Sequence, residues 1–401
     1  MPGKIFVTGA GMISALGTNK EEALSALREQ RTGIAPLVYL KTAHKGLPVG
    51  EVKRTNLELM QMLHIPEIEI TTRTSLMGMI AVREALEQAC LTDANGLRIA
   101  LISGTTVGGM DMSEQFYLDF LENDTRNAYI STHDCGACTE MIANHFGIFS
   151  MVDTISTACS SAANAIMLGA MLLRDGRADV VVAGGSECIT KFHLNGFNTL
   201  MILDREPCKP FDAHRAGLNL GEGAAYLVLE SESSFRKRGV SPLCCLSGYG
   251  NACDAFHQTA SSPQGEGAYL SMIKALDSAS LSPGEISYIN AHGTGTENND
   301  LSEGISIERV FQGKIPPVSS TKSFTGHTTS AAGGVEAVIS LLALQHNFIP
   351  VNLNFSSPMK DLSFMPATVE RPDAPLRHVL SNSFGFGGND TSLIFSKIET
   401  A

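Results

Sequence analysis

Four short stretches of this 401-residue chain carry groups that could do covalent chemistry. The first is Asp153-Thr-Ile-Ser-Thr-Ala-Cys159-Ser-Ser-Ala-Ala163, in which a thiol sits at the junction between an apolar run and a small-residue run. If the second run is a helix, Cys159 lies at its positive end, and the expectation is a lowered thiol pKa and a nucleophilic thiolate. Read alone, the same cysteine is more often a buried structural thiol. The second stretch, Ile286-Ser-Tyr-Ile-Asn-Ala-His292-Gly-Thr-Gly-Thr296, ends a strand-like run in a histidine and a Gly/Thr turn. Glycines there let a substrate approach the backbone, and Thr294 and Thr296 supply hydroxyls. The third, Ser319-Ser-Thr-Lys322-Ser-Phe-Thr-Gly-His327, holds a lysine and a histidine five residues apart ahead of a small-residue segment. Its bland alternative is a solvated lysine and a capping histidine. The fourth, Asn382-Ser-Phe-Gly-Phe386-Gly-Gly388, can turn backbone N–H groups toward a developing oxyanion.

Positioning these groups requires a scaffold, and the pattern around them is α/β. Short apolar runs alternate with helical stretches. Lys4 to Thr8, Arg98 to Ser103, Met151 to Ser156 and Asp179 to Ala183 read as strands; a helix is expected from Asn19 to Gln30 and another from about Cys159 to Arg174. The alternation resumes after Pro242, with strands at 243–247 and 286–289 and helices at 267–279, 300–311 and 330–345. Asp179 to Ala183 is apolar almost throughout, as a strand buried on both faces should be. The polar stretch Ser231 to Ser241 divides the chain into halves of similar element order, 1–240 with the cysteine and 241–401 with both histidines. A histidine at a strand's C-terminal edge is where such folds place their sites.

The composition narrows the function. Acids outnumber bases 41 to 29, a formal net charge of −12, which argues against a nucleic-acid binder. No apolar run reaches the ~20 residues of a membrane span, and MPGKIFVTGAG lacks the stages of a signal peptide and reads as the first strand. Nine cysteines without framework spacing suit a reducing, cytoplasmic setting.

Taken together, in this order and spacing, the four stretches resemble the β-ketoacyl-acyl-carrier-protein synthases of the elongating Cys-His-His type. The likeness runs from Val7-Thr-Gly-Ala-Gly to Ser392-Leu-Ile-Phe and takes in Lys209-Pro-Phe-Asp-Ala-His-Arg215 and Gly221-Glu-Gly-Ala. It implies a thiolase-like fold: two pseudo-repeated halves in an αβαβα five-layer arrangement, as a homodimer or as the catalytic partner of a related chain-length-determining subunit. It implies Cys159 as nucleophile, with His292 and His327 holding the malonyl thioester carbonyl as neutral imidazoles. The N–H groups of Cys159 and Phe386 would form the oxyanion hole, and Phe386 would gate the acyl pocket. Lys322 would pair with Glu303; Thr294 and Thr296 would touch the pantetheine arm; Val107 and Phe197 would line the acyl-binding region. Acyl- and malonyl-loaded acyl carrier protein would be the partner, with no metal or organic cofactor.

Some features depart from that pattern. Met201 stands near the place of an expected docking arginine, leaving Arg73, Arg126, Lys191 and Arg205 as candidate replacements. Gly388-Asn-Asp390-Thr replaces the usual Gly-Thr-Asn, and together these features lean toward a polyene or pigment pathway over bulk fatty-acid synthesis. Cys135-Gly-Ala-Cys138 lacks a matching metal half-site and reads as buried thiols starting a helix at a subunit interface. Gly9-Ala-Gly11-Met-Ile-Ser14 imitates a dinucleotide fingerprint but lacks its acidic partner, and reads as a tight turn. A CoA-dependent thiolase would need a second cysteine near the C-terminus, and none follows Cys253.

Overall fold

In the computed structural model of the protein, which describes residues 4–371 and 373–398, alternate residues of the strands face two different cores. That periodicity explains the layering. The strands of the main sheet, numbered along the chain, are β1 (Ile5–Ser14), β2 (Ile99–Gly104), β3 (Met151–Ile155), β4 (Val180–Glu187), β5 (Gly223–Ser231), β6 (Cys244–Cys253), β7 (Tyr288–Asn290), β8 (Val318–Ser319), β9 (His378–Gly385) and β10 (Asn389–Ser396). On β4, Val180 and Val182 enter one core while Val181 and Ala183 enter another. A strand with both faces buried shows no polar alternation, which is why this run reads as continuously apolar.

The ten strands form one sheet in the order β8-β7-β9-β10-β6-β1-β5-β4-β2-β3. Split at the β6/β1 seam, each half runs first, fifth, fourth, second, third in its own chain order. The orientations repeat as well. β1/β5 and β5/β4 are antiparallel and β4/β2 and β2/β3 parallel; β6/β10 and β10/β9 are antiparallel and β9/β7 and β7/β8 parallel. The seam is a short antiparallel pairing of Ile5–Val7 with Cys244–Leu246. The duplication is therefore one of topology, which is why no residue-level repeat reveals it.

Helices complete the layers: α1 (Arg73–Gln88), α2 (Cys135–Phe146), α3 (Ser161–Arg174), α4 (Lys191–Thr199), α5 (Glu266–Ala279), α6 (Glu297–Phe311) and α7 (Ala332–His346). α1 and α2 cover the outer face of the first half-sheet, and α5 and α6 that of the second. α3 and α7 pack on each other between the halves, and one core cluster draws residues from both helices and both half-sheets. Every residue from Ala332 to Leu344 is buried, as a helix apolar on all sides must be. This is the thiolase-like αβαβα arrangement.

Several sequence expectations need adjustment. Gly9 to Ser14 is no tight turn: β1 continues through it to Ser14. Its glycines serve helix packing, since a Cβ on Gly9 or Gly11 would sit 2.1 Å from the carbonyl oxygen of Ala85 or Ala81 in α1. The long helix after Cys159 begins at Ser161, and the N-terminal helix spans Lys20–Arg28 behind an Asn19 cap. The expected first strand is β1; residues 1–3 of that expectation lie outside the described residues. Among the described residues no helix is long and apolar enough to cross a membrane.

Candidate active site

The four chemical stretches converge because each follows the C-terminal end of a strand: Cys159 after β3, His292 after β7, Lys322 and His327 after β8, Phe386 after β9. Between β3 and α3 the chain turns sharply, and Ala158 takes a left-handed φ of 52°. Two hydroxyls hold that turn. Ser161 Oγ accepts from the Thr157 N–H (2.9 Å) and donates to the Ala158 carbonyl (2.6 Å), while Ser160 Oγ donates to the Thr157 carbonyl (2.8 Å). Behind them Asn389 Oδ1 accepts from Asn164 Nδ2 (2.7 Å) and Asn251 Nδ2 (2.9 Å), with Ser160 Oγ 3.0 Å away. The departure at 389 thus places an amide at the hub that ties the two halves together beneath the cysteine.

Cys159 Sγ lies 3.0 Å from His327 Nε2, and the His292 and His327 rings meet edge to face with centroids 5.2 Å apart. Burial, reinforced by the nearby Lys322 ammonium, holds both imidazoles well below the usual histidine range, so both are neutral at pH 7. Lys322 Nζ donates to His292 Nδ1 at 3.1 Å. An Nδ1 that accepts carries no proton, so the His292 proton resides on Nε2. His327 Nδ1 is buried with no hydrogen-bond partner among the described residues.

Two expectations are overturned here. The thiol is not acidified: burial pushes Cys159 up to about 11, against the opposing pull of Lys322 and the Phe386 N–H. Desolvation is the largest influence because the thiol is only 5% exposed, and the helix itself begins two residues later, at Ser161. Lys322 does not pair with Glu303. Its ammonium forms a buried ion pair with Glu336, which projects from the second turn of α7. Glu303, on α6, instead accepts from the backbone N–H groups of His292 (2.9 Å) and Gly293 (2.7 Å) and from Asn382 Nδ2 (3.1 Å), fixing the loop that carries His292. Burial raises Glu303 to about 7.

A cavity of about 420 Å³ leads to this cluster. Cys159, His292, His327, Thr294, Thr296, Phe197 and Phe386 all line it. The Thr294 and Thr296 hydroxyls are 2.9 Å apart, and the Phe197 and Phe386 rings stack with centroids 5.7 Å apart. The backbone N–H groups of Phe386 and Cys159 both favour the charged form of the Cys159 sulfur, as a pair of donors suited to an oxyanion would. Val107 does not line this cavity. It is 2% exposed, and its N–H faces the buried Glu187 carboxylate.

The other residues singled out from sequence are dispersed. Cys138 is buried against Thr72 Oγ1 and Cys135 is half-buried at the start of α2; among the described residues no group of three His, Cys, Asp or Glu could hold a metal. Arg73 is not a free docking base, because Glu222 binds it at 2.6 Å with both side chains largely buried. Arg126 lies over the Phe116 ring. Glu336, Asn389 and the strained Ala158 were not singled out for these roles, and only their partners across the fold reveal them.

The chain is similar to known proteins along nearly its whole length. Residues 3–234 match the family model for the beta-ketoacyl synthase N-terminal domain and residues 243–356 that for the beta-ketoacyl synthase C-terminal domain. Nodulation protein E of Rhizobium meliloti (strain 1021) is 32% identical over 412 residues, covering 99% of this chain and 100% of the relative. The 3-oxoacyl-[acyl-carrier-protein] synthase 2 of Staphylococcus aureus (strain N315) is 30% identical over 410 residues, covering 99% of each. A solved ishigamide ketosynthase/chain length factor superposes with a TM-score of 0.92 at 30% identity, over 100% of both chains. With both halves matched and relatives aligned end to end, the chain belongs to the beta-ketoacyl synthase family, a family of acyltransferases.

Proposed function

We propose that the protein condenses an acyl group held on Cys159 with malonyl-acyl carrier protein, releasing carbon dioxide and giving a 3-oxoacyl-acyl carrier protein two carbons longer. The observation that carries this reading is the contact of Cys159 Sγ with His327 Nε2 at 3.0 Å, at the inner end of a cavity also lined by His292. A thiol raised to about 11 is not a resting thiolate, so its proton leaves as sulfur attacks the thioester, with neutral His327 as acceptor. The oxyanion then lies toward the Phe386 and Cys159 N–H groups, and collapse expels the carrier thiol, which takes up that proton. In the second half-reaction His292, protonated on Nε2, donates to the malonyl thioester oxygen as the C–C bond to carboxylate breaks. The resulting enolate carbon attacks the acyl carbonyl, and the Cys159 thiolate departs and takes up one proton from solvent, which restores the thiol. Thr294 and Thr296, paired in the cavity wall, suit the amide-bearing arm of the donor.

The test is intact-mass analysis after incubation with a panel of acyl-carrier thioesters. A covalent adduct on Cys159, absent in Cys159→Ala, is expected. A folded protein that takes no acyl group from any donor, alone or with a partner subunit, would sink the reading. The same panel separates fatty-acid chains from polyene-type ones by which acyl groups load; Met201 and Asn389-Asp390 favour the second. All nine cysteines are unpaired, which supports a cytoplasmic setting.

A second reading, favoured by one observation, is that this chain is the catalytic half of a heterodimer. Tyr117, Leu118, Leu121 and Ile130 are each more than half exposed, an apolar face that suits a partner subunit, and the ishigamide relative is a ketosynthase/chain length factor. Mass measurement in solution decides: a dimer of this chain alone that loads and condenses excludes an obligate second subunit.

A further inference from the structure

The rim of the reaction cavity is built differently from a charge-steered docking site. Of the side chains lining the cavity none is a lysine or arginine, and Glu297 is the only carboxylate. The whole chain carries a net charge of −12, so no general positive field compensates. Arg73 is spent on Glu222.

One side of the rim carries the polar Thr259, Glu297 and Asn298; the side formed by the end of α4 is apolar. Met201 lines the same cavity as Cys159, yet is 87% exposed. It lies just past α4, its N–H donating to the Asn198 carbonyl at 3.0 Å, with φ at 57°. Glycine or asparagine is the usual choice for that left-handed position after a helix. A methionine there gains nothing from burial within the chain. Leu200 beside it is 42% exposed and Phe192, at the other end of α4, is 57% exposed. The inner face of α4 is committed: His193 and Leu194 are buried, and Phe197 stacks on Phe386.

Resting on the synthase function proposed above, we infer that the carrier protein delivering the thioester docks on this rim through an apolar contact face seated on Met201 and Leu200. A body tethered to an arm that enters the cavity must come to rest on the residues around its mouth, and Met201 belongs to both. The methionine side chain, unbranched and polarisable, adapts to a partner surface it meets repeatedly. Such docking depends little on ionic strength, because charge pairing contributes little to it.

The test compares one acyl group on two donors, hexanoyl-acyl carrier protein and hexanoyl-pantetheine, by the concentration giving half-maximal loading of Cys159. Met201→Asp is expected to raise that concentration for the carrier-borne donor at least about tenfold more than for the pantetheine thioester, the range expected for losing one buried methionine contact. Met201→Leu should keep the wild-type value. For the wild type, half-saturation by the carrier should change less than about twofold between roughly 50 mM and roughly 500 mM NaCl. Equal shifts for both donors in Met201→Asp, or steep weakening of the wild type by salt, would overturn the inference while leaving the synthase function intact. Failure of both donors, and of every other acyl-carrier thioester, to load the folded wild type alone or with a partner subunit would instead overturn the function on which it rests. Thermal melts of the variants confirm folding, and the position is exposed enough to tolerate both.

Discussion

Replacing Lys322 with methionine separates what this residue does for the fold from what it does for the reaction. Lys322 is 1% exposed; its ammonium is shared between the Glu336 carboxylate and His292 Nδ1. Methionine keeps much of the aliphatic stem and removes the charge. Glu336, its side chain 3% exposed, is then left without its cation, and removing one partner of a buried pair typically costs ~3–5 kcal/mol. The lower end is expected, because burial already raises the Glu336 carboxyl and it can take up a proton instead. The chemical effect is distinct. Without a donor at Nδ1, nothing holds the His292 proton on Nε2, and loss of such an orienting partner costs about ten- to hundredfold in rate. Carbon dioxide release from a malonyl thioester reads this step directly. Loading of Cys159, followed by intact mass, should slow less, because Lys322 affects the thiol only through its field. The double variant Lys322→Met/Glu336→Gln removes the orphaned charge and should recover at least about half of the lost stability, yet none of the decarboxylation. If Lys322→Met released carbon dioxide within about twofold of wild type while losing the expected stability, the lysine would be purely structural and the tautomer reasoning wrong.

Two further outcomes follow from the buried acids and thiols. Burial and the neighbouring Asp254 carboxylate push Asp390 up to about 8, so the folded protein holds a proton there that the unfolded chain releases near pH 4. Stability from this group is present at low pH and is lost as pH rises from about 4 toward 8; Asp390→Asn should therefore gain on the wild type with rising pH, by on the order of 5 kcal/mol between pH 4 and pH 9, read by chemical denaturation. A gain independent of pH would contradict this. Cys135→Ser with Cys138→Ser should leave turnover largely unchanged, since neither thiol reaches the reaction cavity, and a large loss of activity in a folded variant would reveal a missed role.

Much of the fold was legible wherever local pattern and burial agree. β4 is apolar throughout because both its faces are covered, and the small residues after Cys159 mark a helix that must pass through the middle of the molecule. Of α2 only the start was marked, by Cys135 and Cys138; α1 was not singled out, although it is one of the longest helices, because its buried side takes in every residue from Thr74 to Val82 and leaves no amphipathic stripe to read. The glycines of β1 misled in an instructive way. Gly-x-Gly signals a turn when only the backbone's freedom is considered, whereas here the missing Cβ atoms admit the carbonyls of a helix nearly eighty residues away in sequence.

The site divides along the same physical line. Residue type and order determined which groups are present: a thiol between a strand and a helix, two histidines after strands, a Gly-rich turn, and a methionine at 201 where a docking arginine was expected. None of that depends on distance, because each is a property of a few adjacent residues. Which group faces which was decided only by the tertiary structure. Lys322 could reach a carboxylate from α6 or from α7, and the packing of α7 between the halves brings Glu336 to it while Glu303 turns to backbone N–H groups. The Cys159 thiol is raised rather than lowered for a related reason. A helix end is local, but desolvation sums over every element packed around the sulfur, and that sum exists only once the two halves have closed on each other.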